Sequence, residues 1–360
     1  MDDLLDAAAR LIAIRSTADR PQLLGEALEL VLGRVGPGFT VERFTSRGKP
    51  SALVHTGGPR PHFRVLLNAH LDVVPAPDEQ FRPHVRDGRL YGRGAQDMKV
   101  AALVLADVFR ELAPVLPYPL GLQLVTDEEV GGYDGTAHQI EAGVSADFVV
   151  IGEQSGLRVV TESRGILQVR LHATGTAAHA AYPWLGDNAL LKLLAAIGRV
   201  LARHPVPGHE VWATTVNVAR IETPDAAVNQ VPAAATAWLD IRFPPEDEAY
   251  AGRTREQVAA HLRELSGLEV TVDGFGPPHR ADPDRREVRL LQAAAREAGW
   301  SGELLRKHGA ADVRFYSARG IAAVVFGPGG DGQHGPGEYA DLTTVAPYRA
   351  ALSTFLRALP

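Results

Sequence analysis

The sequence predicts an α/β protein with a second, smaller α/β unit inserted into the first. Three observations carry this. Short, wholly apolar segments alternate with stretches of helical period, the pattern of a sheet buried on both faces. The middle of the chain switches to half-buried strands in the order β-α-β-β-α-β. After Pro277-Pro278 the first pattern resumes.

Taken in order, residues 2–14 and 21–35 have helical periodicity, and Gly36-Pro37-Gly38 ends the second helix. Arg64–Asn68 reads as a buried strand between a Gly-Pro-Arg-Pro turn and the polar run beginning at His70. Asp97–Leu112 reads as a helix opening after a glycine-rich turn, and Leu120–Thr126 and Phe148–Ile151 as core strands. Then come strand Ile166–Ala173, helix Asp187–Arg203, strands Val211–Ile221 and Ala233–Phe243, helix Arg253–Leu265 and strand Leu268–Val272. That order is one ferredoxin-like unit. A helix at 284–298 and a strand at Ala322–Phe326 return to the first domain. The expected division is 1–164 with 275–360 for one domain and 165–274 for the other, and 360 residues suffice for both.

Composition bounds the function. A net charge of −6 gives no electrostatic reason to expect nucleic acid or an anionic membrane as partner. With no cysteine, disulfides and thiolate chemistry are excluded, and metal ligands are confined to His, Asp and Glu. The acidic, amphipathic start MDDLLDAAARLIAIRS does not read as a signal peptide, and no apolar run approaches the ~20 residues of a membrane span. A cytoplasmic protein is expected.

His and carboxylates gather where strands end or glycine-rich loops turn: His70-Leu71-Asp72, Asp97, Glu128-Glu129, Glu153 and His334, with Glu338 behind the last. In open α/β sheets ligand sites are built at strand ends. Each residue alone reads as a loop or cap residue; their joint occurrence points to a site. The run GRGAQD (92–97) lacks the spacing of a nucleotide-binding glycine loop.

The segments NAHLDVVP (68–75), YGRGAQDMK (91–99), TDEEVGG (126–132), IGEQS (151–155) and QHGPGEY (333–339) resemble the signature runs of one family. It is the zinc-dependent family of acetylornithine deacetylase, succinyl-diaminopimelate desuccinylase, aminoacylase and glutamate carboxypeptidase. The resemblance spans essentially the whole chain. It implies a zinc-exopeptidase-like catalytic domain with a central sheet, an inserted lid and dimerisation domain, and an enzyme that cuts amide bonds.

By that resemblance, His70 and Glu153 bind one divalent metal ion, Glu129 and His334 a second, and Asp97 bridges the two. Asp72 accepts the His70 imidazole N–H and fixes its tautomer. Glu128 is the general base. The ions are zinc, with cobalt or manganese also suited to imidazole and carboxylate. Charge counting agrees: Asp97, Glu129, Glu153 and a bridging hydroxide supply four negative charges, which two divalent cations cancel. His179, in GTAAHAAYP (175–183), resembles a lid histidine that reaches the partner subunit's site, which implies a homodimer through the lid domain.

Arg164, Asn229, Arg242 and Arg314 resemble positions that hold a substrate carboxylate or line the lid, and a guanidinium pairs bidentately with such a group. The expected substrate is a small carboxylate-bearing molecule. Departures weaken one specificity. HGAADVRF (308–315) stands where desuccinylases carry a Gly-Thr-Ser-Asp stretch, GTAAHAAYP has alanines where serines are common, and Gly337 replaces an asparagine. Deacylase of N-acyl amino acids, and dipeptidase or carboxypeptidase, both stay open. A non-catalytic binding module on the same scaffold is the remote alternative, since no ligand or base is missing.

Overall fold

The computed structural model describes residues 2–224 and 227–360; Met1 of the expected first domain and residues 225–226 of the expected second lie outside it. The chain forms two compact units. One comprises the chain up to Thr161 with Ala281–Arg306 and Ala311–Pro360, the other Glu162–Arg280 with Lys307–Ala310. Among the described residues no helix is long and apolar enough to cross a membrane.

The first unit is built on a mixed sheet. Its strands run in the spatial order Thr40–Ser46, Lys49–His55, Leu120–Val125, Phe63–His70, Ala146–Ile151, Ala322–Val325. The last four are mutually parallel. Successive side chains on a strand point to opposite faces, and both faces are buried. Val65 and Leu67 join the core formed with Leu28, Leu103, Leu291 and Leu352, whereas Leu66 joins Ile140, Val313 and Tyr316 on the other side. Each such burial contributes roughly 1.5–3 kcal/mol. Helix Val100–Leu112 is buried along its length from Val100 to Phe109, as a helix apolar all round must be. Its one acid in that stretch, Asp107, pairs with Arg34 at 2.8 Å.

A polar knot crosses this apolar sheet. Asn68 Nδ2 donates to Gln123 Oε1 at 2.9 Å, and Gln123 Nε2 to Gln139 Oε1 at 3.1 Å. Thr136 and Tyr316 complete it, each 3.2 Å from Asn68 Nδ2.

The second unit has the ferredoxin-like topology. Its antiparallel sheet runs Thr215–Glu222, Ala234–Phe243, Gly165–Thr174, Glu269–Gly276. Helices Ala189–Arg203 and Arg255–Ser266 share its core through Leu193, Ile197, Val258 and Leu262. Both start on side-chain caps. Asn188 accepts from the Leu191 N–H, and Thr254 and Gln257 form a capping box.

The structure adds one element and corrects two local readings. The hairpin Thr40–Ser46/Lys49–His55 goes unseen in the sequence because its turn is Arg47-Gly48 rather than Asn-Gly; both residues take positive φ, 43° and 77°. The helix expected from Asp97 starts at Val100, because Asp97 and Met98 leave helical backbone space. The strand expected from Val211 starts at Thr215.

Candidate metal centre

Three of the segments singled out in the sequence leave neighbouring parallel strands at one end. His70 closes its strand opposite Val125, with Asp72 just beyond. Glu128 and Glu129 open the short turn that follows Val125. Glu153 comes two residues after Ile151, which pairs with Asn68. Parallel strands expose this edge in common, which is why such sites form there.

The other two segments hang on a small antiparallel sheet. Arg89–Tyr91 leads to Asp97, and Tyr339–Asp341, paired with it, follows His334. His334 sits in a loop with Gly332, Gly335 and Gly337 and itself takes a φ of 60°.

These segments converge. Donor atoms of His70, Glu128 and Glu153 lie within 4.8 Å of one another, and so do those of Asp97, Glu129 and His334. Asp97 joins the two groups: Oδ1 is 3.0 Å from His70 Nε2, and Oδ2 is 3.4 Å from His334 Nε2. Glu129 Oε2 lies 3.1 Å from the same His334 nitrogen. Asp72 is fully buried and meets His70 in two ways. Its carbonyl oxygen is 3.1 Å from Nδ1 and its carboxylate 3.5 Å. The carboxylate also accepts the N–H groups of Glu128 and Glu129, at 3.2 and 2.9 Å, so one side chain sets both glutamates.

The electrostatics show crowding of like charge. Burial, reinforced by Glu153, pushes the Glu128 carboxyl well above the usual carboxylate range. Burial also raises Glu129, with the His334 contact opposing and Asp97 adding. Hydrogen bonds to Asp97 and Glu129 push His334 up to about 10. For His70, burial alone would lower the value, but hydrogen bonds to Asp72 and Asp97 outweigh it and the imidazole proton is held well above its ordinary range. Two imidazoles and four carboxylates with no thiolate are the donor set of a divalent cation such as zinc, and their excess negative charge is what such cations relieve. The residues fit a pair of ions.

Sequence reasoning missed several neighbours. Gln333 donates its amide to Asp97, and Gln154 donates to Gln333 at 2.7 Å, so amides adjacent in sequence to His334 and Glu153 link their loops. Buried Asp127 accepts the Asp134 N–H at 2.6 Å, and burial together with Asp312 pushes it up to about 7. Buried Asp312 lies so close to Gly132 that a Cβ there would come within 2.0 Å of its carboxylate. For Gln333, Gln154 and Asp127 the sequence signal is adjacency to a ligand or to Glu128; Asp312 lies in the run HGAADVRF.

The residues expected to hold substrate are more dispersed. Arg314 donates to the Gly131 carbonyl at 2.7 Å and so braces the Glu128-Glu129 turn. In the second unit, Arg164 is buried and donates to Ala213 O and Thr215 Oγ1, both at 3.0 Å. Arg242 pairs with Asp240 at 2.6 Å. His179 is exposed on a two-residue ribbon opposite Gln230, and the Asn229 carbonyl accepts the Ala180 N–H at 2.8 Å.

Two such clusters, one at the ends of parallel strands and one completed by loops of a small antiparallel sheet, joined through one carboxylate, define a metallohydrolase. Comparison with known proteins places it further: the model of peptidase family M20/M25/M40 matches residues 66–358, and the chain belongs to that family. It is thus an enzyme that hydrolyses amide or peptide bonds, and membership implies divalent metal ions. Among its relatives is a succinyl-diaminopimelate desuccinylase of Paracidovorax citrulli, 31% identical over 94% of this chain and 95% of the relative. A probable carboxypeptidase of Paracoccidioides lutzii is 34% identical over 67% of this chain and 60% of its own. An M20 family metallo-carboxypeptidase from Sulfolobus solfataricus superposes over 99% of both chains with a TM-score of 0.80 at 19% identity, a likeness of fold.

Proposed function

We propose that this chain removes the acyl group from a small N-acyl amino acid by hydrolysing its amide bond. The observation that carries the reading is Asp97, whose two oxygens face one histidine each between two clusters of carboxylates. His70 and Glu153 would hold one divalent cation, Glu129 and His334 the other, and Asp97 both; zinc is the expected ion, with cobalt and manganese also compatible. Such ions, when bound, make water a nucleophile at neutral pH and polarise the substrate carbonyl.

The chain's own residues supply the rest. Glu128, raised by burial and by Glu153, takes the proton from the attacking water on its carboxylate and passes it to the leaving nitrogen. Asp72 holds the N–H groups of Glu128 and Glu129, which keeps base and ligand in fixed relation. Residues 165–274 would serve as a lid and dimerisation domain on a catalytic domain of 1–164 and 275–360. His179 would act on the partner subunit's substrate, and Arg164, Asn229, Arg242 and Arg314 would position the substrate's carboxylate or line the lid. Support for a homodimer comes from exposed Tyr182, Trp184, Leu185, Leu191 and Leu194 on the second unit, and from Thr215–Glu222 at the end of its sheet order.

The carboxypeptidase named among the relatives favours a second reading, cleavage of a dipeptide or of a C-terminal residue. One screen separates them: N-acetyl and N-succinyl amino acids and dipeptides, each with zinc, cobalt or manganese restored to stripped protein. Faster turnover of N-acyl substrates is expected. Preference for peptides would replace the first reading by the second, and a metal-loaded protein inert to all would make it a binding module.

A further inference from the structure

The loop that carries His334 lies outside the core strands and is rich in glycine. Three glycines surround the histidine, its side chain is 48% exposed, and its backbone is left-handed. Its donor atoms nevertheless stand within reach of Asp97 and Glu129. Something outside the ligand set has to place it.

Arg93 and Glu338 meet that need. They form an ion pair whose side chains are 3% and 1% exposed. Glu338 Oε2 accepts from Arg93 Nη1, and Oε1 accepts the backbone N–H groups of Gln96 and Asp97, at 3.1 and 3.2 Å. Arg93 Nη2 reaches back to the Gly335 carbonyl at 3.3 Å, next to His334. The Glu338 carbonyl accepts the Gly92 N–H at 3.1 Å. Five contacts thus join the Asp97 segment to the His334 segment, none through a ligand atom. A buried ion pair adds little net stability, so the consequence of this one is geometric.

We propose that Arg93 and Glu338 are positioning residues that lock the His334 loop to the backbone of Asp97 and so set the affinity of the Glu129–His334 metal position, leaving the His70–Glu153 position largely unaffected. The asymmetry follows from scaffold. His70 and Glu153 stand at the ends of core strands and need no clamp, whereas the loop around His334 is fixed by the contacts above together with the Gln333–Asp97 and Gln154–Gln333 amide contacts. The inference rests on the two-ion reading of the site.

The test is a cobalt(II) titration of metal-free wild type, Glu338→Gln and Arg93→Lys, followed by visible absorption and by chelator competition. Metal-free thermal melting is recorded alongside. Glu338→Gln keeps an oxygen for the two N–H groups and abolishes the ion pair. It is expected to bind one equivalent as wild type does and the other about 10- to 100-fold more weakly. Arg93→Lys, which keeps the charge but not the planar fork, should fall between. Unchanged binding of both equivalents overturns the proposal, as does equal weakening of both. A lowered metal-free melting temperature with wild-type binding would make the pair merely structural, which also overturns it. Wild type that takes up no second equivalent would instead sink the two-ion reading, a result distinguishable from all of these.

Discussion

The two halves of the metal centre are made of similar side chains on different supports. His70 and Glu153 are 1% and 4% exposed and follow strands packed on both faces, whereas His334 is 48% exposed on a glycine-rich loop of a peripheral sheet. One half inherits its geometry from the core. The other is held in place by hydrogen bonds between loops. The difference teaches that ligand identity and ligand rigidity are separate properties of a site, written in different parts of the sequence.

The largest expected effect comes from metal removal. At a concentration about a thousandfold above Kd, each bound ion stabilises the fold by roughly 4 kcal/mol. Chelation followed by calorimetry should therefore lower the melting temperature, and in two steps, the loop side releasing its ion first. A single step would break the comparison, and an unchanged melting temperature would remove the metal reading.

Glu128→Gln comes next. Glu128 sits with the rigid half, so the variant should keep its metal content by elemental analysis while turnover falls about 10²- to 10⁴-fold. Retained turnover would remove Glu128 as the base.

The metal-free protein should also lose stability as pH rises. Asp127 is raised to about 7, so its contribution is complete below its unfolded value near 3.8 and is lost as pH climbs through about 7. This amounts to at most about 4 kcal/mol. His334, raised to about 10, loses its contribution at still higher pH. Melts of chelated protein across pH 4–10 check this, and Asp127→Asn should lessen the loss between acid and neutral pH while leaving the part due to Glu128 and Glu129.

The smallest effect sharpens the comparison most directly. In metal-free protein, His70→Ala removes a buried partner of Asp97 and should cost about 2–4 kcal/mol. His334→Ala should cost clearly less, because the contacts of its half-exposed side chain with Asp97 and Glu129 are partly screened by solvent. Equal losses in urea titrations would mean that the loop is as firmly built as the strands.

What the sequence disclosed follows the same line. Acids and histidines placed directly after apolar runs stood out because they break a core pattern, and the six residues so found share one centre. Gln154, Gln333 and the contacts of Arg93 stayed hidden, since amides carry no charge signal and an arginine in a glycine-rich run reads as solvated. The helix start was misplaced at Asp97 for a related reason. Val100 onward is apolar and helical by any measure, but the N–H groups of Gln96 and Asp97 are satisfied by Glu338, 241 or more residues away, which no local pattern records. The ferredoxin-like unit was legible because one-sided burial alternates along its strands, as in Ala234–Phe243.

The knot of Asn68, Gln123 and Gln139 has a consequence for how the parallel strands find their alignment. Leu120–Val125 is apolar on both sides apart from Gln123, so sliding it by two positions against Phe63–His70 would cost little in burial. It would, however, strand two amides among leucines, each at a penalty of about 1–3 kcal/mol. It would also carry Glu128 and Glu129 some 6–7 Å along the sheet, at about 3.3 Å per residue. The buried amides therefore act as an alignment key: a nascent sheet that closes without them has its hydrophobic residues in order and its chemistry out of reach.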